Sequence, residues 1–288
     1  MSEIRIFTDT SADLPQELLD KYHIGVVPMR INMAGTDYTD GVTLAPSEFY
    51  DKMEALPSLP TTSQPSPQEF VNAFQPELSA GRTVITINLS SELSGTVDSA
   101  RWAKEALGAA GDNVYVVDSR SASIGLGILV LMAAEMAEQG HSAPEIVERV
   151  NAARQELVHI FTLDHMENLV KGGRISRTAG TLGDFLNIKP ILHLDDAGRI
   201  VLLDKVRGRK KALNYLVDSL DREAIRDKYR YIGVSHAGCP ETGAEIAARL
   251  QALLPEAVVV QGEIGATIGT HVGRGCIAIF YFSSCHPA

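Results

Sequence analysis

Short apolar runs alternate along the chain with longer segments in which apolar residues recur at helical spacing. Residues 83–89 form one such run, and their β-branched side chains are typical of a strand buried on both faces. Residues 210–221 and 242–253 each carry one apolar and one polar face, which predicts amphipathic helices. The alternation indicates an α/β fold in which helices pack on a largely parallel sheet.

These patterns set the order of the predicted elements. Strands are predicted at residues 4–7, 25–33, 83–89, 114–117, 189–194, 199–203, 231–235, 258–262 and 276–283. Helices are predicted at 15–22, 47–54, 99–110, 124–139, 164–170, 210–221 and 242–253. Ser11 and Asp13 are candidate caps for the first helix, and residues 195–198 predict a hairpin turn.

The pattern changes near Val158, where a helical segment runs into a strand-like one and glycine-containing loops become denser. We therefore predict an N-terminal layered α/β domain over residues 1–157 and a C-terminal mixed α/β domain over residues 158–288. The longest uncharged segment in the middle of the chain, 121–134, is shorter than the roughly 20 residues that a membrane span needs. The first residues lack the basic start and long apolar core of a secretory signal.

The composition of the chain argues against several classes of function. The 288 residues include 45% hydrophobic and 22% charged side chains, which favours a folded chain over a disordered one. The formal net charge of −10 argues against nucleic acid as the main partner, because binding phosphates requires clustered cations. Cys239, Cys276 and Cys285 lack metal-site or redox spacing, so we expect no metal and a location in the reducing cytoplasm.

Two segments combine hydroxyl groups with helix starts. Residues 60–67, Pro-Thr-Thr-Ser-Gln-Pro-Ser-Pro, place three successive hydroxyls before a helix. Residues 88–96, Asn-Leu-Ser-Ser-Glu-Leu-Ser-Gly-Thr, follow a strand and enter a helix, where free amides favour an anion. The second segment lacks the lysine of a P-loop and the Gly-x-Ser-x-Gly pattern of hydrolases. Together they predict a hydroxyl-lined site for a carboxylate or phosphate, with simple helix capping as the alternative for the first segment.

Two later segments add cations and a histidine. Residues 169–176 contain Lys-Gly-Gly-Arg, and a basic patch follows, made of Lys205, Arg207, Arg209, Lys210 and Lys211. The basic patch is either a docking surface for an anionic partner or a solvated helix start. Residues 262–275 place His271 in a predicted glycine loop, where its ring faces either a ligand or a purely structural partner.

In this order, and with Thr-Asp-Thr-Ser-Ala-Asp-Leu-Pro at residues 8–15, the segments resemble the DegV family over about residues 3–282. They are similar to its Thr-Ser-Gln-Pro loop, its Ser-Ser-x-x-Ser-Gly-Thr turn, its Lys-Gly-Gly-Arg-Ile segment and its late Gly-x-His-x-Gly motif. The resemblance implies a two-domain bacterial carrier, without catalysis of its own, that holds a long-chain fatty acid such as palmitate (C16–C18) between its domains. It further implies that a separate ATP-binding fatty acid kinase subunit phosphorylates the acyl carboxylate, and it leaves room for transient membrane contact.

The resemblance also assigns roles to single residues. The family's carboxylate-binding positions match Thr62, Ser94 and His271. Supporting positions in the same motifs are Ser63, Gly95 and Thr96. Arg174 and Arg207 match basic residues at the mouth of the site, the second being associated with kinase docking. Arg274 departs from the family pattern, since many relatives have proline there, and it changes either the stiffness of its loop or the charge near the head group.

Two other functions stay open from the sequence. One is a kinase-like subunit that binds dihydroxyacetone, because a histidine can bond a small ketone. The other is a purely regulatory interaction protein, which rests on the basic patch alone. The position of His271 late in the chain, together with the two hydroxyl segments, favours the fatty-acid carrier.

Overall fold

Thirteen strands and ten α-helices form the described part of the chain, which covers residues 3–176, 187–225 and 228–284 of a computed structural model. In chain order the strands are β1 (Ile4–Asp9), β2 (Gly25–Val27), β3 (Arg30–Met33), β4 (Thr36–Thr39), β5 (Thr61–Ser63), β6 (Thr83–Asn88), β7 (Val114–Asp118), β8 (Leu157–Thr162), β9 (Ile188–Leu194), β10 (Ile200–Arg207), β11 (Tyr231–His236), β12 (Val258–Glu263) and β13 (Ile277–Phe282). The helices are α1 (Gln16–Lys21), α2 (Pro46–Glu54), α3 (Pro67–Ser79), α4 (Thr96–Ala106), α5 (Ile124–Glu138), α6 (Ala143–Ala153), α7 (Glu167–Lys171), α8 (Arg209–Glu223), α9 (Pro240–Leu253) and α10 (Ala266–Val272).

The strands build three sheets. A parallel sheet has the order β2-β1-β6-β7, and a small antiparallel sheet has the order β4-β3-β5. A mixed sheet has the order β10-β9-β8-β13-β11-β12, in which β11 and β12 run parallel and the other neighbours antiparallel. The parallel sheet ends with Asp118 and the mixed sheet begins with Leu157. The predicted two-domain α/β fold is confirmed, while the boundary near Val158 stays a prediction.

Helix α5 lies between the parallel and the mixed sheet, packing on β1 and on β11. It is apolar on all sides, which is typical of a fully buried helix, and its first eight residues are all buried. Two glycines allow the close packing. A Cβ on Gly125 would lie 2.4 Å from His159 Nε2, and a Cβ on Gly127 would lie 2.7 Å from a methyl group of Leu14. The helix therefore joins the two domains through direct contact.

Most of the predicted elements are present, with ends that shift by a few residues, but some predictions are wrong. The predicted strand at residues 25–33 is two strands in different sheets, because Pro28 lies between them and lacks the amide hydrogen that a continuous ladder needs. The predicted helix at 164–170 is the shorter α7. The predicted glycine loop at 262–275 contains helix α10, and strands β4 and β5 were not predicted.

The predicted caps of helix α1 are also wrong. Pro15 precedes the helix, and no side chain caps it. Ser11 instead donates its hydroxyl hydrogen to Asp9. Asp13 accepts hydrogen bonds from Ser123 Oγ at 2.5 Å and from the amide of Gly265 at 2.9 Å. Asp13 thus binds distant parts of the chain and Ser11 binds the neighbouring Asp9, so neither caps α1.

The N-terminus of α10 is held by Asp40, which lies between β4 and α2. Its carboxylate accepts hydrogen bonds from the amides of Ala266 and Thr267, both at 3.1 Å, and from Thr267 Oγ1 at 2.6 Å. Asp40 is 2% exposed, and this burial raises its pKa even though the hydrogen bonds favour the charged form. The start of a C-terminal helix is therefore fixed by a carboxylate from the N-terminal part of the chain.

We expect Asp40→Ala to lower the free energy of unfolding by about 2 kcal/mol or more, because three donors at the start of α10 lose a buried acceptor. Denaturant titration followed by circular dichroism measures this change. Asp112→Ala is the matched control, since Asp112 is exposed, and its effect should stay within about 0.5 kcal/mol. An Asp40→Ala variant as stable as the wild type would show that this carboxylate does not hold α10.

Candidate functional site

A cavity of about 460 Å³ lies between one face of the mixed sheet, helix α10 and the turns that follow β5 and β6. Its volume is within the usual range of small-molecule sites. Most of its wall is apolar and is formed by Leu89, Leu93, Phe161, Leu169, Leu194, Ile200, Ile264, Ile268, Val272 and Phe280. Such a wall can bury an aliphatic chain, because removing apolar surface from water is favourable.

Three predicted site residues from distant parts of the sequence line this cavity. They are Thr62, Ser94 and His271, and Ser63 and Gly95 line it as well. Thr62 Oγ1 lies 3.1 Å from His271 Nε2 across 209 residues of sequence. Ser94 Oγ lies 2.9 Å from the hydroxyl of Thr96, the remaining supporting residue. The structure thus brings the predicted polar residues to one cavity, and their role in binding a carboxylate stays a prediction.

The two hydroxyl segments are joined by the side chain of Gln64. Thr62 lies on β5, and Ser94 lies in the turn before α4. Gln64 Nε2 donates a hydrogen bond to Ser99 Oγ at 2.9 Å, which ties the first segment to α4. A Cβ on Gly95 would lie 2.3 Å from Gln64 Oε1, so the glycine of the Ser-Gly-Thr turn provides the space for this contact.

His271 lies in the last turn of α10, and not in a glycine loop. Burial, and secondarily the nearby charge of Arg174, lower its pKa to about 4, so the imidazole is neutral at pH 7. Its Nδ1 has no hydrogen-bond partner among the described residues. A Cβ on Gly172 would lie 2.2 Å from this nitrogen, which explains a glycine in the Lys-Gly-Gly-Arg segment.

Arg174 lines the same cavity and brings a positive charge to it. Its Nε donates to the Leu93 carbonyl at 3.2 Å, and its Nη1 donates to the Gly172 carbonyl at 2.6 Å. It forms no ion pair with any residue in the described part of the chain. Burial lowers its pKa, yet an arginine stays protonated at neutral pH. A cation that contacts neutral carbonyl groups can still bind an anion entering the cavity.

Arg207 is not among the described residues that line the cavity. It is exposed at the end of β10, and two residues later Arg209 donates a hydrogen bond to the Gly275 carbonyl, in the loop that follows α10. The basic patch therefore contacts, through Arg209, the loop that follows the helix carrying His271. Its exposed members are Lys205, Arg207, Lys210 and Lys211. Within the described residues, none of these four forms an ion pair.

Arg274 fastens its loop to helix α2. Its Nε donates to Glu54 at 2.8 Å, its Nη2 donates to Asp51, and its guanidinium lies 5.6 Å from the ring centre of Tyr50. The two carboxylates raise the pKa of Arg274 against the opposing effect of its burial, and they balance its charge. Arg274 therefore ties the loop to α2, outside the cavity wall, and its charge is balanced by the two carboxylates.

Sequence reasoning missed several polar residues of the wall, namely Ser123, His159, Ser235 and Thr267. His159 Nε2 lies 2.5 Å from the hydroxyl of Ser121. Strands β8 and β11 are buried on both faces, so they lack the alternation of polar and apolar residues that would reveal which side faces a cavity.

The described residues contain neither a metal-binding cluster nor a membrane-spanning helix. No group of three or more His, Cys, Asp or Glu side chains there is arranged to hold a metal ion. In the same part of the chain, every helix is too short or too polar to cross a membrane.

Known proteins match this chain in sequence and in fold. A family model described as "Uncharacterised protein, DegV family" matches residues 3–284. A DegV domain-containing protein of Caldanaerobacter subterraneus subsp. tengcongensis is 38% identical over 281 residues, which cover 98% of this chain and 99% of that protein.

Two solved structures share the fold over nearly their whole length. A DegV family protein from Thermus thermophilus, described by its fatty acid binding, has a TM-score of 0.88 at 32% identity and covers 98% of this chain and 99% of that one. A stearic acid-binding protein from Eubacterium ventriosum has a TM-score of 0.86 at 26% identity and covers 98% of each chain. The resemblance drawn from the motifs is confirmed: the chain belongs to the DegV family, which includes fatty-acid-binding proteins.

Proposed function

We propose that this protein binds one long-chain fatty acid of C16–C18 in the cavity and presents its carboxylate to a separate ATP-binding kinase subunit, which forms the acyl phosphate. The observation that carries the proposal is that a mostly apolar cavity holds one cluster of hydroxyl, imidazole and guanidinium groups, here called the polar end, made of Thr62, Ser94, His271 and Arg174. A fatty acid has the same two parts. Arg174 supplies the charge for its carboxylate, and Thr62 and Ser94 supply directed hydrogen bonds.

The apolar wall can supply enough binding free energy without a covalent bond. Burying about 14 methylene groups at ~0.8 kcal/mol each contributes roughly 11 kcal/mol before costs. Lost translation, rotation and chain flexibility remove a large part of this. A small polar ketone such as dihydroxyacetone would leave most of the apolar wall without a contact, so the cavity favours the fatty acid over that alternative.

Transfer to a kinase requires an accessible head group and a surface for docking. Ser63 and Gln64 line the cavity and are exposed, so the polar end lies close to the surface. The basic patch lies beside the loop that follows α10, and its four exposed cations can attract an acidic partner. These features support a carrier that works with a partner enzyme, and the cysteine content of the chain supports a cytoplasmic location.

The first expected outcome concerns the hydroxyls of the polar end. Thr62→Val combined with Ser94→Ala should weaken fatty-acid binding by tenfold or more, because each hydrogen bond to a charged group is worth about 1.5–3 kcal/mol. Fluorescence displacement measures the affinity.

The matched control is Thr61→Val with Ser91→Ala, which removes neighbouring hydroxyls that do not line the cavity. The control should bind like the wild type. Equal affinity for the test variant and the wild type, with intact circular dichroism spectra, would contradict the assignment of Thr62 and Ser94.

A second expected outcome concerns the protonation of His271. In the protein without lipid its pKa is about 4, and a fatty-acid carboxylate beside the ring should raise this pKa, because a nearby negative charge favours the imidazolium. Titration of the imidazole signals by ¹⁵N NMR, with and without palmitate, measures the shift. The signals of the exposed His23 should not respond to palmitate. A His271 titration that palmitate leaves unchanged would place the carboxylate elsewhere.

A third expected outcome concerns the basic patch. Arg207→Ala should leave lipid binding nearly unchanged and slow acyl-phosphate formation by the kinase subunit, because Arg207 is exposed and outside the cavity wall. Raising the ionic strength should slow the wild-type reaction too, since salt screens exposed charges beyond about 10 Å at 0.1 M.

The control for the patch is Arg101→Ala, an exposed arginine on α4. It should react like the wild type. Equal loss of lipid binding and of kinase reaction in Arg207→Ala would move this residue to the binding site, and wild-type rates at every salt concentration would make the patch an ordinary solvated surface.

A further inference from the structure

The hairpin that joins β9 to β10 lies against loops of the parallel sheet. Ser90, in the turn after β6, donates its hydroxyl hydrogen to the Gly198 carbonyl of the hairpin at 2.9 Å. Arg120, in the loop after β7, donates from Nη1 to the Asp196 carbonyl at 3.0 Å. These four residues are called the hairpin contact below. The hairpin contact joins the mixed sheet to the parallel sheet.

The backbone on both sides of the hairpin contact fits closely. Gly198 has a φ of +89°, and a Cβ on it would lie 2.3 Å from Ser90 Oγ and 2.9 Å from Arg120 Cα. Arg120 has a left-handed φ of 50°, and its amide donates to Asp118 Oδ1 at 3.0 Å. A left-handed residue other than glycine is unfavourable and persists only where its surroundings hold it. The fit between the hairpin and the loops is therefore specific.

The hairpin contact separates the fatty-acid cavity from a groove on the surface. Residues on one side of Ser90 and of Gly198 line the cavity, namely Leu89, Leu194 and Ile200. Residues of the same segments and of the loop after β7 line the groove, which has a volume of about 360 Å³, namely Ser91, Glu92, Asp118, Arg120, Asp196 and Ala197. Ser90 and Gly198 are themselves buried between the two spaces. Separation of this pair would connect the cavity with the groove.

The strand behind the hairpin resists this separation only weakly. Strand β10 lies at an edge of the mixed sheet as described, and most of its residues are half-buried or exposed. Regions with few buried apolar contacts open at low cost. The hydrogen bonds of the hairpin contact are also replaced by bonds to water when the two sides separate, so each adds only modestly to the closed state.

Exchange of a fatty acid needs such an opening. A kinase has to reach only the carboxylate, whereas an entering or leaving acid must move its whole acyl chain past the cavity wall. Leu89 and Leu194 of this wall are each 5% exposed. Passage of the acyl chain therefore requires part of the wall to move.

We propose that the hairpin contact is the gate through which the fatty acid enters and leaves the cavity. The inference rests on the proposed fatty-acid site and adds the route of exchange. The bonds from Ser90 and Arg120 hold the gate closed with or without lipid, since neither donor binds the acid. Weakening them should favour the open state equally in both forms of the protein. Entry and exit then become faster by the same factor, and the Kd does not change.

The test measures both exchange rates in Ser90→Ala by stopped-flow fluorescence. The probe is cis-parinaric acid, a fatty acid that fluoresces in an apolar site. Mixing it with protein freed of lipid gives the association rate, and displacing it with excess palmitate gives the dissociation rate. Both rates should rise about fivefold, the effect of one neutral hydrogen bond, and the Kd should stay at the wild-type value.

Ser91→Ala is the matched control. Ser91 is the next residue of the same turn, but its hydroxyl donates to Asp118 Oδ2 at 2.6 Å, within the loops of the parallel sheet. This variant also loses one hydrogen bond of a serine, yet it leaves the bonds to the hairpin intact. Both of its exchange rates should match those of the wild type.

The outcomes separate this inference from the proposed function. Unchanged rates in Ser90→Ala, with cis-parinaric acid still bound, overturn the gate and leave the fatty-acid site intact. A change in one rate alone, which alters the Kd, makes Ser90 part of the binding site and also overturns the gate. If the wild type binds neither cis-parinaric acid nor palmitate, the proposed function fails and the gate fails with it.

Arg120→Ala decides if Ser90→Ala does not fold. Arg120 is half-buried at the groove, and the variant removes its bond to the Asp196 carbonyl. An equal rise in both exchange rates supports the gate, and wild-type rates overturn it.

Discussion

The binding of α10 by carboxylates from the N-terminal part of the chain is the contact on which the rest of the site depends. Asp40 accepts three hydrogen bonds from the first turn of this helix, and Asp13 accepts one from Gly265 just before it. His271 lies in the last turn of the same helix and meets Thr62 of the N-terminal domain. Because α10 has only seven residues, a fixed start also fixes the position of its end. The hydrogen bonds by which the N-terminal domain holds α10 therefore set the distance between Thr62 and His271.

The contributions of the buried carboxylates and of His271 to folding stability depend on pH in opposite ways. Burial raises the pKa of Asp13 and Asp40, so the folded state binds protons more tightly there, and this contribution to stability is lost as the pH rises above about 4. His271 has a folded pKa of about 4 against an ordinary value of 6.5, so its contribution is present above pH 6.5 and is lost as the pH falls toward 4. At neutral pH the polar end thus combines a neutral imidazole with the positive charge of Arg174. An anion that enters there is attracted by the charge of Arg174, whereas the imidazole of His271 contributes no charge.

The sequence predicts the fold class and most of the strands and helices, because those depend on local patterns of apolar residues. It also predicts Thr62, Ser94 and His271 as site residues, through the motifs that resemble those of the family. Local patterns of this kind do not predict contacts between distant parts of the chain. The pairing of Asp40 with Ala266 and Thr267 spans more than 200 residues, and no local signal marks Asp40 as a helix cap for a distant helix. Short helix α10 was missed for a related reason, since a seven-residue helix with one glycine and four β-branched residues has weak intrinsic propensity and is stabilised by its tertiary contacts.

The glycines of the motifs explain how segments from distant parts of the sequence come together in one site. Gly95 leaves room for Gln64, and Gly172 leaves room for the ring of His271, each against a residue from another motif. In both pairs an added Cβ would come within 2.3 Å of the neighbouring side chain, closer than atoms can approach. The motifs therefore pack against one another, and the glycine in one motif is explained by the side chain that it accommodates from another. In this chain the contacts between the motifs place the hydroxyls, the imidazole and the guanidinium around one cavity.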